Sequence, residues 1–413
     1  MHASKLKTRI LGLMMVNVLV FILVDISLKF SQGDDHKVRI PSKRFWKKVV
    51  VSEAFWNRRQ QRLDHIHNPL FASAIAAGND TYIDATAIPL GILDWLNDTS
   101  PEDPCVPDHS VALRVKDYDL LPQRFKDFLR FMRCRSYPMV RNEPDLCREP
   151  PFLLLAVKSL APHFDRRQAI RESWGRAGTV AGRKVITVFL LGSATSMDHY
   201  PDLSGMLRHE SEINRDILQW DFRDTFFNLT VKEVLFLEWL STSCSGAQYI
   251  FKGDDDVFVN TFRILDFLGR LRRSKAQALF IGDVITGAGP HRNKNLKYYI
   301  PESVFQGRYP PYAGGGGYLY SGKLALRLYN VSQRVSLYPI DDVYTGMCLQ
   351  KLGLVPEKHK GFRTFNIDEK YRENACAYEN LMLVHSRTPQ EVIRIWSWLR
   401  DPSLNCSVVT AIA

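Results

Sequence analysis

The sequence predicts an α/β protein with a mostly parallel, twisted central sheet, preceded by a membrane anchor and a stem. Three observations carry that expectation. Residues 152–157 read FLLLAV, a continuous apolar run of the kind found in strands buried on both faces. Further apolar runs at 185–191 and 280–285 alternate with stretches of helical spacing, the order of a parallel sheet with crossover helices. Between two β-type runs, residues 249–260 (YIFKGDDDVFVN) set three adjacent carboxylates, Asp254, Asp255 and Asp256, where strands of such sheets end and ligands bind.

Taken in order, the chain opens on Lys5, Lys7 and Arg9, followed by residues 10–24, apolar except for Asn17. No small-residue cleavage site follows, so the expectation is an uncleaved signal anchor over 10–28. Residues 1–9 then form a cytosolic tail and the rest lies in the lumen. A span this short suits the thinner membranes of the early secretory pathway. Residues 29–104 are polar with scattered Pro and Gly and read as a lumenal stem. Residues 105–150 carry Cys105, Cys134 and Cys147 and a helix over 121–132, with Leu121, Phe125, Phe128, Leu129 and Met132 on one face. They read as a lead-in packed on a catalytic domain at 151–413.

Composition narrows the function. The net charge of +11 comes from scattered basic residues without a block of interleaved aromatics, which excludes nucleic acid as a partner. Basic clefts also suit phosphorylated small substrates. Sequons at Asn79, Asn97, Asn228, Asn330 and Asn405 agree with a lumenal body. The seven cysteines form no CxxC pair, which argues for disulfides rather than zinc. Seven is odd, so one thiol stays free or permits a disulfide-linked homodimer.

Within 151–413 the predicted elements are a strand at 152–157, a helix at 166–174, strands at 185–191 and 216–222, and a helix at 231–240. The acidic strand end comes next, then a helix at 261–273 and a strand at 280–285. Packing does not explain adjacent carboxylates that repel one another. A hard cation, Mn²⁺ or Mg²⁺, shared with substrate phosphates does. Lys158, Arg166, Arg167 and Arg171 follow the first strand, where cations meet a nucleotide or simply form a solvated basic face. Residues 309–322 (YPPYAGGGGYLYSG) read as a glycine loop that lets backbone approach a flat ligand such as a sugar. The nearby phosphate-loop look-alike fails, because Leu324 stands where a Ser or Thr must hold magnesium. Asp341 and Asp342 open a helix, either as dipole-capping acids or with one as a general base. His385 ends an apolar strand, as a core residue or a further metal ligand.

Assembled, these residues resemble the inverting β1,3-glycosyltransferase family, which includes β1,3-galactosyl- and β1,3-N-acetylglucosaminyltransferases. The resemblance covers residues 152 to about 399 and rests on RRQAIRESWG, FLLG, DILQWDFRDTFFNLTVKE, FKGDDDVFVN, YPPYAGGGGY and DDVYTGMCLQKLG. Ser173 before Trp174, and Asp341 where galactosyl members typically carry Glu, point to the N-acetylglucosaminyl branch, and ILGLMMVNV, EAFWNR and LPQRFKDFLRFMRC further resemble its poly-N-acetyllactosamine-extending type. The resemblance implies a GT-A fold, a UDP-GlcNAc donor, a divalent cation, a galactose-terminated acceptor on glycoproteins or glycolipids, and a type II Golgi membrane location. By that analogy Asp256 is a metal ligand with His385, Asp254 lies nearer the nucleoside, and Asp342 is the catalytic base. Lys158, Arg167 and Arg171 bind UDP, with Asp255, Gly315, Gly316 and Asp341 beside the donor. The nearest alternative is a β1,3-galactosyltransferase that uses UDP-galactose with the same machinery, and two other functions fit parts of the pattern. A Ca²⁺-dependent carbohydrate-binding protein gives Asp342 no role. A glycosidase needs two isolated carboxylates rather than a cluster.

Overall fold

The computed structural model describes residues 52–67, 105–194 and 201–406. The predicted anchor, most of the stem and the sequons at Asn79 and Asn97 lie outside them. Among the described residues, no helix is long and apolar enough to cross a membrane.

The strands, in chain order, are β1 (Met139–Arg141), β2 (Leu153–Lys158), β3 (Gly178–Val180), β4 (Arg183–Ser193), β5 (Ile217–Arg223), β6 (Tyr249–Asp254), β7 (Val257–Val259), β8 (Phe280–Ile285), β9 (Tyr312–Ser321), β10 (Glu357–Lys358), β11 (Phe362–Arg363) and β12 (Leu383–His385). The longer helices are α1 (Phe55–Ile66), α2 (Gln123–Arg130), α3 (Phe164–Glu172), α4 (Ser204–Asn214), α5 (Leu229–Ser243), α6 (Thr261–Gly269), α7 (Gly322–Ser332), α8 (Asp341–Lys351) and α9 (Pro389–Arg400).

The main sheet runs β1-β5-β4-β2-β6-β9-β8-β10, with β3 paired to β4. Its centre, β5-β4-β2-β6, is parallel, and β9 then enters antiparallel between β6 and β8. Alternate residues explain the unbroken apolar runs. Leu153, Leu155 and Val157 face one core with Phe189 and Phe251, while Leu154 and Ala156 face the other with Val188 and Ile250. Parallel pairing sets Lys158 level with Asp254, and β6–β9 pairing sets Gly253 opposite Gly317. A small second sheet, β11-β12-β7, pairs Val257 with His385. The register thus gathers residues far apart in sequence at one end of the sheet.

Residues 313–317, expected as a loop, are instead the first half of β9. Glycines weaken strand propensity and hide the pattern. Here they serve close packing: a Cβ on Gly314 would lie 2.5 Å from Thr364 Cγ2, and one on Gly316 2.9 Å from Thr364 Oγ1.

Within the segment assigned to the stem, α1 is built into the folded body. Trp56 is buried, its indole N–H donates to the carbonyls of Ser336 and Leu337, and its ring meets Phe305 and Tyr338 edge-on at 5.3 and 5.7 Å. Asn57 and Gln306 exchange two hydrogen bonds, and Gln60 bonds the backbone of Arg334 and Ser336. Trp56→Ala is expected to cost about 3–5 kcal/mol, the range for emptying a large aromatic site. Urea unfolding of the purified protein measures it; a change under about 1 kcal/mol would mean that α1 is not part of the cooperative unit.

Disulfides join Cys105 to Cys134, Cys147 to Cys244 and Cys376 to Cys406. The bridge from Cys147 ties the lead-in to the end of α5. Cys348 is left as a free thiol, buried in α8, so the odd cysteine is not presented to a second chain.

Candidate active site

The acidic motif divides its work between two directions. β6 ends at Asp254, and a turn through Asp255 and Asp256 leads into β7. Asp254, Asp256 and, through β12, His385 converge so that one ligand atom from each lies within 4.8 Å of the others. His385 Nε2 sits 3.2 Å from Asp256 Oδ1. Two carboxylates and an imidazole suit a hard divalent cation that keeps positions open for phosphate oxygens. Asp255 points the other way, bonded to Ser159 Oγ (2.7 Å), His163 Nδ1 (2.7 Å) and Arg166 Nη1 (2.9 Å). Burial opposes its ionisation, but His163, Ser159 and Arg166 outweigh it and hold the carboxyl below its usual range. Asp255 therefore fixes the turn instead of joining the cation cluster.

Beside that cluster runs a buried chain of alternating charge. Lys158 Nζ lies 2.8 Å from Asp254 and 2.9 Å from Asp341, and donates to the Gly315 carbonyl at 3.3 Å. Burial works against the ammonium, but the two carboxylates outweigh it and raise its proton affinity. Deeper, Lys252 pairs with Glu233 and stands 3.9 Å from Asp341. Asp341 is thus neutralised from two sides. Lys158 and Lys252 hold it ionised against its burial.

Among the described residues no cation forms an ion pair with Asp342, and Lys158 acts on it only from a distance. Asp342 Oδ2 accepts from the Gly315 N–H at 3.1 Å and its Oδ1 from the Val343 N–H at 2.7 Å. Burial, followed by the neighbouring Asp341 charge, pushes its carboxyl up to about 7. The helix-opening acids are therefore not equivalent: Asp341 is a structural anion, and Asp342 is poised to exchange a proton near neutral pH.

Arg167 and Arg171 do not reach the cleft. Every guanidinium nitrogen of Arg167 is engaged, by Glu210, Ser159 Oγ and the carbonyls of Leu160 and Ala161. Arg171 forms a two-pronged pair with Asp216 and a third bond to Glu210. Both brace α3 against α4 and the start of β5. Arg166, on the same helix, is the one aimed at Asp255 and Asp256. Gly316 N–H donates to Thr364 Oγ1 at 3.3 Å, which adds Thr364 to the site. No spacing rule signals Thr364, His163 or the Lys252–Glu233 pair, because their partners are remote in sequence.

Comparison with known proteins places this geometry. The galactosyltransferase family matches residues 165–360, a span that holds the acidic motif and Asp342. N-acetyllactosaminide β-1,3-N-acetylglucosaminyltransferase 2 of Mus musculus is 56% identical over 409 residues, 98% of this chain and 100% of the relative. The chain belongs to this β1,3-N-acetylglucosaminyltransferase family. The Homo sapiens protein of the same name is 54% identical over the same shares, and UDP-GlcNAc:betaGal β-1,3-N-acetylglucosaminyltransferase 7 of Rattus norvegicus is 43% identical over 70% of this chain and 74% of its own. The chain is accordingly a glycosyltransferase. The family match begins after Lys158 and ends before His385, whereas the near-full-length relatives span both.

Proposed function

We propose that the protein transfers N-acetylglucosamine from UDP-GlcNAc to the 3-hydroxyl of a terminal galactose on N-acetyllactosamine-type glycans, with inversion at the anomeric carbon. The observation that carries the mechanism is the pairing in one cleft of a cation-type cluster, Asp254, Asp256 and His385, with a separate carboxylate, Asp342, whose proton affinity is raised to about 7. The mixed sheet with its site at the strand ends supports a GT-A arrangement. The basic start and apolar run at residues 1–24 support a type II anchor in Golgi membranes.

Asp254, Asp256 and His385 would hold Mn²⁺ or Mg²⁺, which supplies Lewis-acid stabilisation of negative charge on a diphosphate leaving group. The chain's own groups do the rest. Lys158 keeps Asp254 and Asp341 fixed. Ionised Asp342 accepts the proton of the acceptor hydroxyl as its oxygen attacks the anomeric carbon. The bond to the UDP oxygen breaks on the opposite face, so an α-linked donor gives a β-linked product. No covalent enzyme intermediate is formed, and no Ser or Cys nucleophile is needed.

Transfer from UDP-GlcNAc against UDP-galactose to an N-acetyllactosamine acceptor, with and without Mn²⁺, tests the reading. GlcNAc transfer that needs the metal supports it; galactose transfer moves the donor assignment; no transfer by folded protein overturns it. Asp256→Asn is expected to weaken Mn²⁺-dependent UDP binding by about tenfold or more, the scale for losing a charged metal ligand or its supporting group. Calorimetric titration with UDP at several Mn²⁺ concentrations measures this. Unchanged UDP affinity would remove Asp256 from the metal site.

A further inference from the structure

Phe365 is 76% exposed, more than any other aromatic side chain among the described residues. A lone exposed apolar residue ordinarily needs no explanation. This one is different because both its neighbours are tied to the active site. Before it, Thr364 is buried, accepts the Gly316 N–H and donates its own N–H to Asp283 Oδ2 at 3.2 Å. After it, Asn366 takes a left-handed backbone (φ 78°) and accepts from Arg387 Nη1 at 2.9 Å. Arg387 is buried, and its backbone N–H donates to the Asp256 carbonyl at 2.6 Å. A left-handed non-glycine residue, even an Asn, persists where its surroundings hold it. The loop thus holds a large apolar ring out into water, between two residues tied to the cation cluster, with none of the described residues covering it.

We propose that Phe365 is a stacking platform for the acceptor glycan, taking the C–H face of a pyranose ring. This rests on the functional reading above. The donor's diphosphate belongs on the floor of the cleft, at Asp254, Asp256 and His385, where a ring so exposed is not placed. An acceptor oligosaccharide enters by one end and trails outward, so an exposed ring between Thr364 and Asn366 is in reach of its sugars beyond the reacting one. Rigid aromatics suit such a ligand, because ordering them on binding costs little side-chain entropy.

The test is steady-state kinetics of the full-length protein and its Phe365→Ala and Phe365→Trp variants, varying a two-unit N-acetyllactosamine acceptor and UDP-GlcNAc in turn. Phe365→Ala is expected to raise the acceptor KM by about 5–20-fold, the scale of one lost aromatic contact. kcat, the UDP-GlcNAc KM and the thermal midpoint stay unchanged, and Phe365→Trp restores the acceptor KM. An unchanged acceptor KM, or a rise confined to the UDP-GlcNAc KM, overturns the platform while leaving the transferase reading in place. Absence of GlcNAc transfer by the unaltered protein overturns both.

Discussion

Asp342→Asn is expected to lower turnover by about 10²-fold or more while UDP-GlcNAc affinity stays nearly intact. The size is that of a lost general base. The separation of effects follows from geometry, since Asp342 bonds the backbone of Gly315 and Val343 and stands outside the Asp254–Asp256–His385 cluster. Asn still accepts from one of those N–H groups but cannot take the acceptor's proton. The same carboxylate sets the pH profile. It works as a base only when ionised, so wild-type kcat should rise with pH through about 7 and then level. Asp342→Asn should lose that rise. Stability moves the opposite way. A carboxyl whose folded value lies above its ordinary 3.8 begins to oppose folding as pH climbs past 3.8, and the penalty is complete above about 7. At pH 8 the Asn variant should therefore melt no lower than wild type. Near-normal turnover in Asp342→Asn, or a lowered melting point accounting for its loss, would remove Asp342 from the role of base.

The sheet was legible because strands buried on both faces leave unbroken apolar runs, and β2 and β8 fall close to where the pattern puts them. Register was not legible. Nothing in the spacing of Lys158, Asp254, Asp341 and His385 says that three strands and a helix end bring them together. The basic segment at 166–171 shows the limit most clearly. Charge alone suggested a phosphate-binding face, yet Arg167 and Arg171 are consumed by Glu210 and Asp216, which lie on α4 and just before β5. Local sequence cannot show which carboxylate, some 40 residues on, will claim a guanidinium. The glycines of β9 misled for the opposite reason. Poor strand formers occupy a strand because Thr364 and Asp342 press on its two sides, and that tertiary demand overrides propensity. In α1, Phe55 and Trp56 are the signal that part of the stem segment folds, since two adjacent bulky aromatics seldom stay in solvent.

Lys158 divides two accounts of the site, and Lys158→Met separates them. If Lys158 chiefly contacts UDP, its removal should weaken UDP binding and leave folding stability almost unchanged. The structure shows instead a buried ammonium between Asp254 and Asp341, with the side chain 4% exposed and the two carboxylates 32% and 7% exposed. Taking away the cation leaves Asp341 buried with only Lys252 to offset it, at 3.9 Å. Breaking a buried pair in this way costs about 3–5 kcal/mol, and the lower end applies because Asp254 remains partly hydrated. A loss of about 3 kcal/mol in urea unfolding is therefore expected, with turnover falling as Asp254 and Asp341 lose their alignment. Adding Asp341→Asn should recover part of the lost stability, because a neutral amide no longer needs the cation and the two sites are coupled by direct contact. Strictly additive losses in the double variant, or full stability in Lys158→Met alone, would show that the buried charge chain does not hold the cleft together.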